Sequence, residues 1–533
     1  MATIGVSGSI GSVGASAAPD VGYASAFMVG VAPWGEVNVV KMCTSLGQFQ
    51  RLFGGLNKAS TVAADGAADT WTTETTSAAQ QTYYAVKGYF DEKGNAPNGV
   101  LYFCRVVKSG AYLVGATAAT RNFPDGTTNN TVVISKWPGT PGGTTTVQID
   151  TPSPDKGTGW AKFTIVNSKA NITEYYNIAT AADAADASKN SELVTIALPA
   201  GLELPVTCTA SKLYNGTPGV ADAYNATDAN HVGVETSGAK TGLGVFSDQR
   251  YGTGFVSIPG KYSSAIRAGI KAHVEKWYRI GILSSPSGKT VSNVAADISG
   301  TNGSYMGYYW PQLWVADSNS DSGGKLLIDN TGHIAGLWAN LAHQYGGPHK
   351  SPAGLTHSFA TVLDVERQSN GEELCDDAGS NTLADSFVNT IRMKGNPPGV
   401  CVWGLRTLAQ DNRFRQIQAV LTICLSYLTV YLIAEAAVFE PIDSDGQLFS
   451  KVKGTCDSFF AGLRRAGAVF GDYPGDDPKK SDAYRVICDR SNNTDRTIDA
   501  GELHVDCYMV PTKNAESVKF SIQVTAPGSS PSK

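Results

Sequence analysis

Apolar and polar positions alternate with period two near the end of the chain. In AESVKFSIQV, from Ala515, Val518, Phe520, Ile522 and Val524 are interleaved with Lys519, Ser521 and Gln523, the pattern of a strand that buries one face. ELHVDCYMVP, from Glu502, has the same period, with Leu503, Val505, Cys507 and Met509 on one side. At the other end, residues 1–20 are rich in Gly and Ser and carry no Lys or Arg and a single acid, Asp20, before the apolar run AFMVGVAP. A strand at a free end can be lent to a neighbour, so two such ends predict a subunit built to be linked to copies of itself. The alternative is a last run that pairs within its own subunit and a disordered N-terminal tail.

Between the ends, periodicity predicts an α+β protein: a mixed α/β core interrupted by a β-rich insertion and flanked by strand-forming arms. In residues 21–107, AFMVGVAP, VNVVKMC and LYFCRVV read as strands, and LGQFQRLFGG and QQTYYAVKGYFDEKG as helices. From 108 to 241 the chain turns to Thr, Asn, Gly and Pro with short alternating runs such as TVVIS, TTTVQID and AKFTIVN, which predicts a separate β-rich insertion. Over 242–500 α/β units resume: strand GFVSIPG, helix SSAIRAGIKAHVEKW, strand RIGILSS, then SNVAADIS and MGYYWPQLWVA. Helix TGHIAGLWANLAHQ places Ile334, Leu337, Trp338 and Leu341 on one face, and strand GVCVWGLRTLA leads into a long apolar helix. QLFSKVKGTCDSFFAGLRRAGAVFG is a further amphipathic helix, and residues 501–533 hold the terminal strands and arm.

The nineteen uncharged residues Gln416 to Ala434 approach the about 20 that cross a bilayer. Thr422, Ser426, Tyr427 and Thr429 dilute the run and Glu435 follows it, so a core helix apolar on all sides is expected, with no membrane insertion.

The 533 residues, 42% hydrophobic and 17% charged, suffice for a large core and about two to four domains. A formal charge of -5 argues against a nucleic-acid partner. The nine cysteines include no CxxC, and several sit in apolar runs, as reduced core residues do. No basic region followed by an apolar stretch opens the chain, so a secretory signal is not expected.

Motifs for turnover fail on spacing, and neither an enzyme nor a cofactor or metal site is expected. SGKT (Ser287–Thr290) follows the strand RIGILSS, but six residues separate Gly281 from Gly288 and Pro286 removes a donor, where a phosphate loop needs four between its glycines. A strand-to-helix turn with a solvated Lys289 is expected instead. His343, His349 and His357 lie six and eight apart across a Gly/Pro-rich stretch, too loose for zinc, and read as solvated loop histidines. DSDG at Asp443 lacks the remaining ligands of a calcium loop, and Asp376 and Asp377 suit a helix start.

The order of these segments resembles the sheath proteins of contractile phage tails and related contractile injection particles. AFMVGVAPWGEVN before LGQFQRLFGG, GFVSIPG before RIGILSS, and TGHIAGLWANLAHQYGGPHKSPAG follow that family's order. NTIRMKGNPPGVCVWGLRTLA is the most specific match, with Trp403, Gly404, Arg406, Thr407 and Leu408 in place. YRVICDRSNNTDRTIDAGELHVDCYMVPTKNAESVKF is similar to the family's ending. The resemblance covers about residues 20–110 and 220–526. It departs at the helix after RTLA, which usually carries several arginines and here has none beyond Arg415.

This resemblance implies a structural subunit. Copies would stack as six-fold rings around an inner tail tube, and contraction would drive the tube through a host envelope. The implied partners are further copies of the chain, the tail tube protein, and baseplate and tail terminator proteins. The implied location is a virion tail assembled in the host bacterial cytoplasm; a non-phage injection system or an R-type bacteriocin is the alternative, and another self-assembling β-rich surface protein a further one. Ile4 and Val6 of the first arm and Val518, Phe520, Ile522 and Val524 of the last are the candidate donated strands. Leu503, Val505, Cys507 and Met509 would line the receiving sheet. The helix at 447–467 has Leu448, Val452, Phe459 and Leu463 on one side, and Lys451, Lys453, Arg464 and Arg465 would face an acidic tube. The 108–241 insertion would project outward.

Overall fold

The computed structural model describes residues 22–520 apart from 34, 56–77, 98, 108–119, 125–129, 137–144, 169–170, 199–202, 214–225, 237, 318–323, 367–376, 396–398, 443–445 and 472–482. Ile4, Val6, Ile522, Val524, Cys375, Asp376 and Asp443 therefore lie outside the described residues.

The run SAFMVG forms β1 (Ser25–Gly30), buried along its whole length, as a central strand of a sheet covered on both faces must be. In chain order it is followed by β2 (Val40–Cys43), β3 (Leu101–Arg105), β4 (Gly254–Ser257), β5 (Ile280–Ser284), β6 (Met306–Trp310), β7 (Val388–Lys394) and β8 (Gly399–Trp403). They form one eight-stranded sheet in the order β8-β7-β6-β5-β4-β1-β3-β2. Neighbours from β7 through to β3 run parallel, and the edge strands β2 and β8 are antiparallel. Because Phe27 of β1 lies directly opposite Val256 of β4, the chain on either side of the insertion shares one sheet. The strand at GVCVWGLRTLA ends at Trp403 rather than continuing to Ala409.

Two helices, α1 (Ala78–Lys93) and α2 (Thr331–Tyr345), pack together on one face, and Trp338 lies 5.5 Å from Phe255 between ring centroids. Gly332 sets their separation, since a Cβ there would stand 1.9 Å from the Ala85 carbonyl oxygen. On the other face, Ile266 and Ile270 of helix Ser264–Trp277 meet Phe27 and Val256. SNVAADIS is helical over Val291–Ile298.

Two buried arginines, in LYFCRVV and RIGILSS, hold loops to this sheet. Arg105 is fully buried and donates to the carbonyls of Ala32 (2.9 Å), Gly35 (2.7 Å) and Pro33 (3.4 Å). Arg279 donates to the carbonyls of Gly252, Phe246 and Asp248 at 2.8–3.1 Å, with its guanidinium 4.1 Å from the Phe27 ring centroid. Burial lowers its pKa to about 9. Saturating a buried guanidinium with carbonyls offsets much of its desolvation cost.

Within the insertion, Cys208–Lys212, Thr145–Asp150, Ala161–Asn167 and Ile172–Ile178 form a four-stranded sheet. Thr120–Pro124, Asn130–Ser135 and Val194–Ala197 form a three-stranded one. Val133, Val147, Phe163 and Ile196 belong to a hydrophobic core within this stretch. The segment is not purely β: helix Ala181–Asn190 begins at a capping box between Thr180 and Asp183.

The uncharged run forms α3 (Ile417–Glu435). Among the described residues it is the one helix long and apolar enough to cross a membrane, and 67% of its most apolar window is buried inside the protein. It contacts α4 (Gln447–Arg465) through a core that includes Leu425, Leu428, Phe449 and Val452.

Candidate assembly interface

The C-terminal strands build a small sheet on α4. β9 (Tyr484–Ile487) and β10 (Asp506–Met509) pair antiparallel, with Val486 opposite Cys507 and Tyr484 opposite Met509. Leu503, Val505, Cys507 and Met509 alternate with the exposed His504, Asp506, Tyr508 and Val510, and all four pack against the core that contains Val452, Cys456 and Phe460 of α4. The predicted apolar face is thus turned toward α4. Leu503 and Val505 belong to the extended lead-in before β10 rather than to a strand.

The loop joining the two strands explains the CDRSNN motif. Asn493, fully buried, accepts from the His504 amide (2.7 Å) and donates to the carbonyls of His504 (2.9 Å) and Asp489 (3.2 Å). Asn492 donates to the Ile487 carbonyl (2.9 Å) and the Asp506 carboxylate (3.0 Å). These bonds fix where β10 returns beside β9. The resulting sheet has two strands among the described residues, and its outer edges present backbone donors and acceptors that a further strand can pair with.

Beyond β10, the Val510 carbonyl accepts from Phe470 N–H (2.8 Å) and Thr512 N–H donates to the Ala468 carbonyl (3.0 Å). The final described residues differ. Val518 and Phe520 lie in no strand and are 81% and 83% exposed, so the period-two pattern there is not satisfied within the described part of this subunit. A groove of about 690 Å³ opens beside this segment, bordered by Trp403, Arg406, Glu516 and Val518.

On α4, Leu448, Val452 and Leu463 are buried, Phe459 is half-buried and Phe460 is buried beside it. Lys451, Arg464 and Arg465 are exposed, whereas Lys453 reaches Asp489 of the adjoining loop at 3.8 Å. The basic face pointing away from the subunit is thus narrower than the sequence suggested.

The segments weighed for catalysis have structural surroundings. Lys289 is not simply solvated: it stands 3.6 Å from Asp297, and the Gly288 amide donates to Glu366 at 2.5 Å, so a carboxylate meets the amide offered to a phosphate in a P-loop. His343 lies in α2 and is exposed, while His349 and His357 are half-buried, against the expectation of solvated loops. Burial lowers the pKa of both half-buried histidines. Among the described residues no group of three or more metal-ligating side chains comes together. Cys43, Cys104, Cys401, Cys424, Cys456 and Cys488 are free and buried, and Cys208 and Cys507 are free and partly exposed.

No family model matches the sequence, and no curated protein matches it. The fold is similar to that of several solved sheath structures. The sheath tail protein of Listeria innocua is similar with a TM-score of 0.57 at 12% identity, over 93% of this chain and 96% of that one. The contracted sheath complex of the extracellular contractile injection system PVC has a TM-score of 0.53 at 12% identity, over 98% of both chains. The contracted helical sheath of the anti-feeding prophage has 0.52 at 14% identity, over 98% of this chain and 99% of that one. The described residues therefore have the α+β fold of contractile sheath proteins.

Proposed function

We propose that this chain is the sheath subunit of a contractile tail or injection particle. It polymerises as stacked six-fold rings around an inner tube and contracts to drive that tube through a host envelope. The observation that carries the reading is the sheet of β9 and β10, two-stranded among the described residues, in the same subunit as an exposed run that pairs with no strand among them. The sheath fold spanning nearly the whole chain supports it.

A contractile lattice must survive a large change in subunit orientation. Donated strands meet this need because backbone hydrogen bonds between copies persist while the linkers absorb rotation. Val518 and Phe520, continuing to Ile522 and Val524, are the donated run of one arm, and Ile4 and Val6 belong to the other. The exposed Lys451, Arg464 and Arg465 face the tube, giving a weak and slidable contact, and the insertion projects away from it. Baseplate and terminator proteins close the ends of the lattice, and assembly takes place in the bacterial cytoplasm before release. Contraction draws on the difference in free energy between two arrangements of the same subunits.

Deletion of residues 1–20 tests the exchange. The shortened chain should fold as a monomer with unchanged thermal stability and fail to assemble; normal assembly of the deletion would contradict the reading.

A further inference from the structure

The C-terminal arm leaves the body at a built anchor. Glu516 Oε2 accepts from Arg406 Nε (2.8 Å) and lies 2.7 Å from Arg406 Nη2. Its other oxygen accepts from Gln416 Nε2 (2.9 Å). The same Gln416 amide brackets Asn514, accepting from its N–H at 2.9 Å and donating to its carbonyl at 3.0 Å. Lys513 Nζ adds a bond to the Asn412 carbonyl at 2.6 Å. Two residues beyond Glu516, Val518 is 81% exposed.

Both anchoring side chains are themselves held. Asn389 of β7 exchanges two 2.7 Å hydrogen bonds with the Arg406 backbone, and Arg406 Nη1 donates to the Ala384 carbonyl at 2.6 Å. Gln416 is buried at the start of α3, and Gln418 donates to its side-chain oxygen at 2.6 Å. Burial pushes the Glu516 carboxyl up, but the Gln416 hydrogen bond and the Arg406 guanidinium outweigh it and hold the pKa below the usual carboxylate range. A charge-assisted pair flanked by neutral hydrogen bonds, with Arg406 tied to β7 through Asn389 and Gln416 set at the start of α3, is a stiff attachment.

We propose that Arg406 and Gln416 are positioning residues for strand donation: they clamp Glu516, so that the movable arm begins at Ser517 and tension on a donated strand passes into the main sheet. This rests on the sheath reading. Fixing the root restricts the volume the arm searches and raises its effective concentration at the neighbour's open sheet. It also gives a load path from the arm through Glu516 and Arg406 to β7, so a neighbour's pull turns the subunit as a body instead of peeling residues 512–516 away.

Glu516→Ala and Glu516→Asp in the full-length chain test this, since position 516 lies outside the core elements. Amide exchange at Asn514 is read below the assembly concentration, and the critical concentration for tube formation by electron microscopy. Glu516→Ala should lose protection at Asn514 at least about tenfold, with the melting temperature of the body unchanged, and raise the critical concentration by a similar factor. Glu516→Asp, which keeps the charge, should recover most of both. Wild-type tubes together with unchanged protection or unchanged critical concentration in Glu516→Ala would overturn the clamp alone. Wild-type protein that forms no tubes, even with tube protein added, would overturn the sheath reading and the clamp's role with it.

Discussion

Val486 and Cys507 face each other across the antiparallel pair of β9 and β10 and both turn inward against α4. One face of this small sheet is therefore committed to the subunit, and among the described residues no third strand joins it. A sheet of two strands is marginal alone, and a third strand adds ladder bonds and cross-strand contacts.

A synthetic peptide of residues 515–524 should therefore compete with the donated arm. Added in excess, it should slow or block tube growth in a dose-dependent way followed by light scattering. A scrambled peptide of the same composition should not. Equal inhibition by both would contradict pairing at a sheet edge.

The basic face of α4 should be felt only where the tube is present. Reversing Lys451 and Arg465 to Glu should leave the fold intact, because both side chains are exposed, and weaken tube-templated assembly most at low salt, where exposed charges are least screened. Lys453→Glu should instead act within the subunit, through the loss of its contact with Asp489, and modestly, by roughly 0–1 kcal/mol. Co-sedimentation with tube protein at two salt concentrations separates these effects.

Gly332→Ala should destabilise the body by about 1–3 kcal/mol or more, since the new Cβ would meet the Ala85 carbonyl oxygen at 1.9 Å. Gly454→Ala is the control. Nothing lies within 4 Å of a Cβ there, and within α4 the change should be neutral or stabilising by up to about 1 kcal/mol. Chemical denaturation of both variants measures the contrast.

Buried histidines set an acid limit. Burial lowers the pKa of His231 to about 4 and of His333 to about 3, and His273 is also lowered by burial. Each titrates near 6.5 when unfolded, so below that pH the unfolded chain binds more protons than the folded one. Stability should be fully present above about pH 6.5 and fall as pH drops toward 4, by at most about 1.4 kcal/mol per pH unit for each histidine. Melting temperatures from pH 8 to 4 check this, and a flat or rising profile between pH 7 and 5 would contradict it.

The core is readable from sequence because its strands are short apolar runs and its helices are either amphipathic or, like α3, long uncharged runs. Helix Ala181–Asn190 leaves little trace because AADAADASKN lacks a strong apolar stripe; the Thr180–Asp183 capping box is the available signal. Pairings distant in sequence carry no local trace, as with Glu366 and Gly288, 78 residues apart. The same holds for Arg406 and Glu516, 110 residues apart: both fall in family-like motifs, yet neither motif says that they meet. The alternation at Val518 and Phe520 forms no strand within the described residues, and such a pattern names the face a strand buries, not the chain that covers it.

The most direct measurement is negative-stain electron microscopy of the purified protein at high concentration, alone and with tube protein. The sheath account predicts wide hollow tubes with a helical repeat, in which density continuous with Phe520 enters the β9–β10 sheet of a neighbour at higher resolution. Dispersed monomers under both conditions would contradict it.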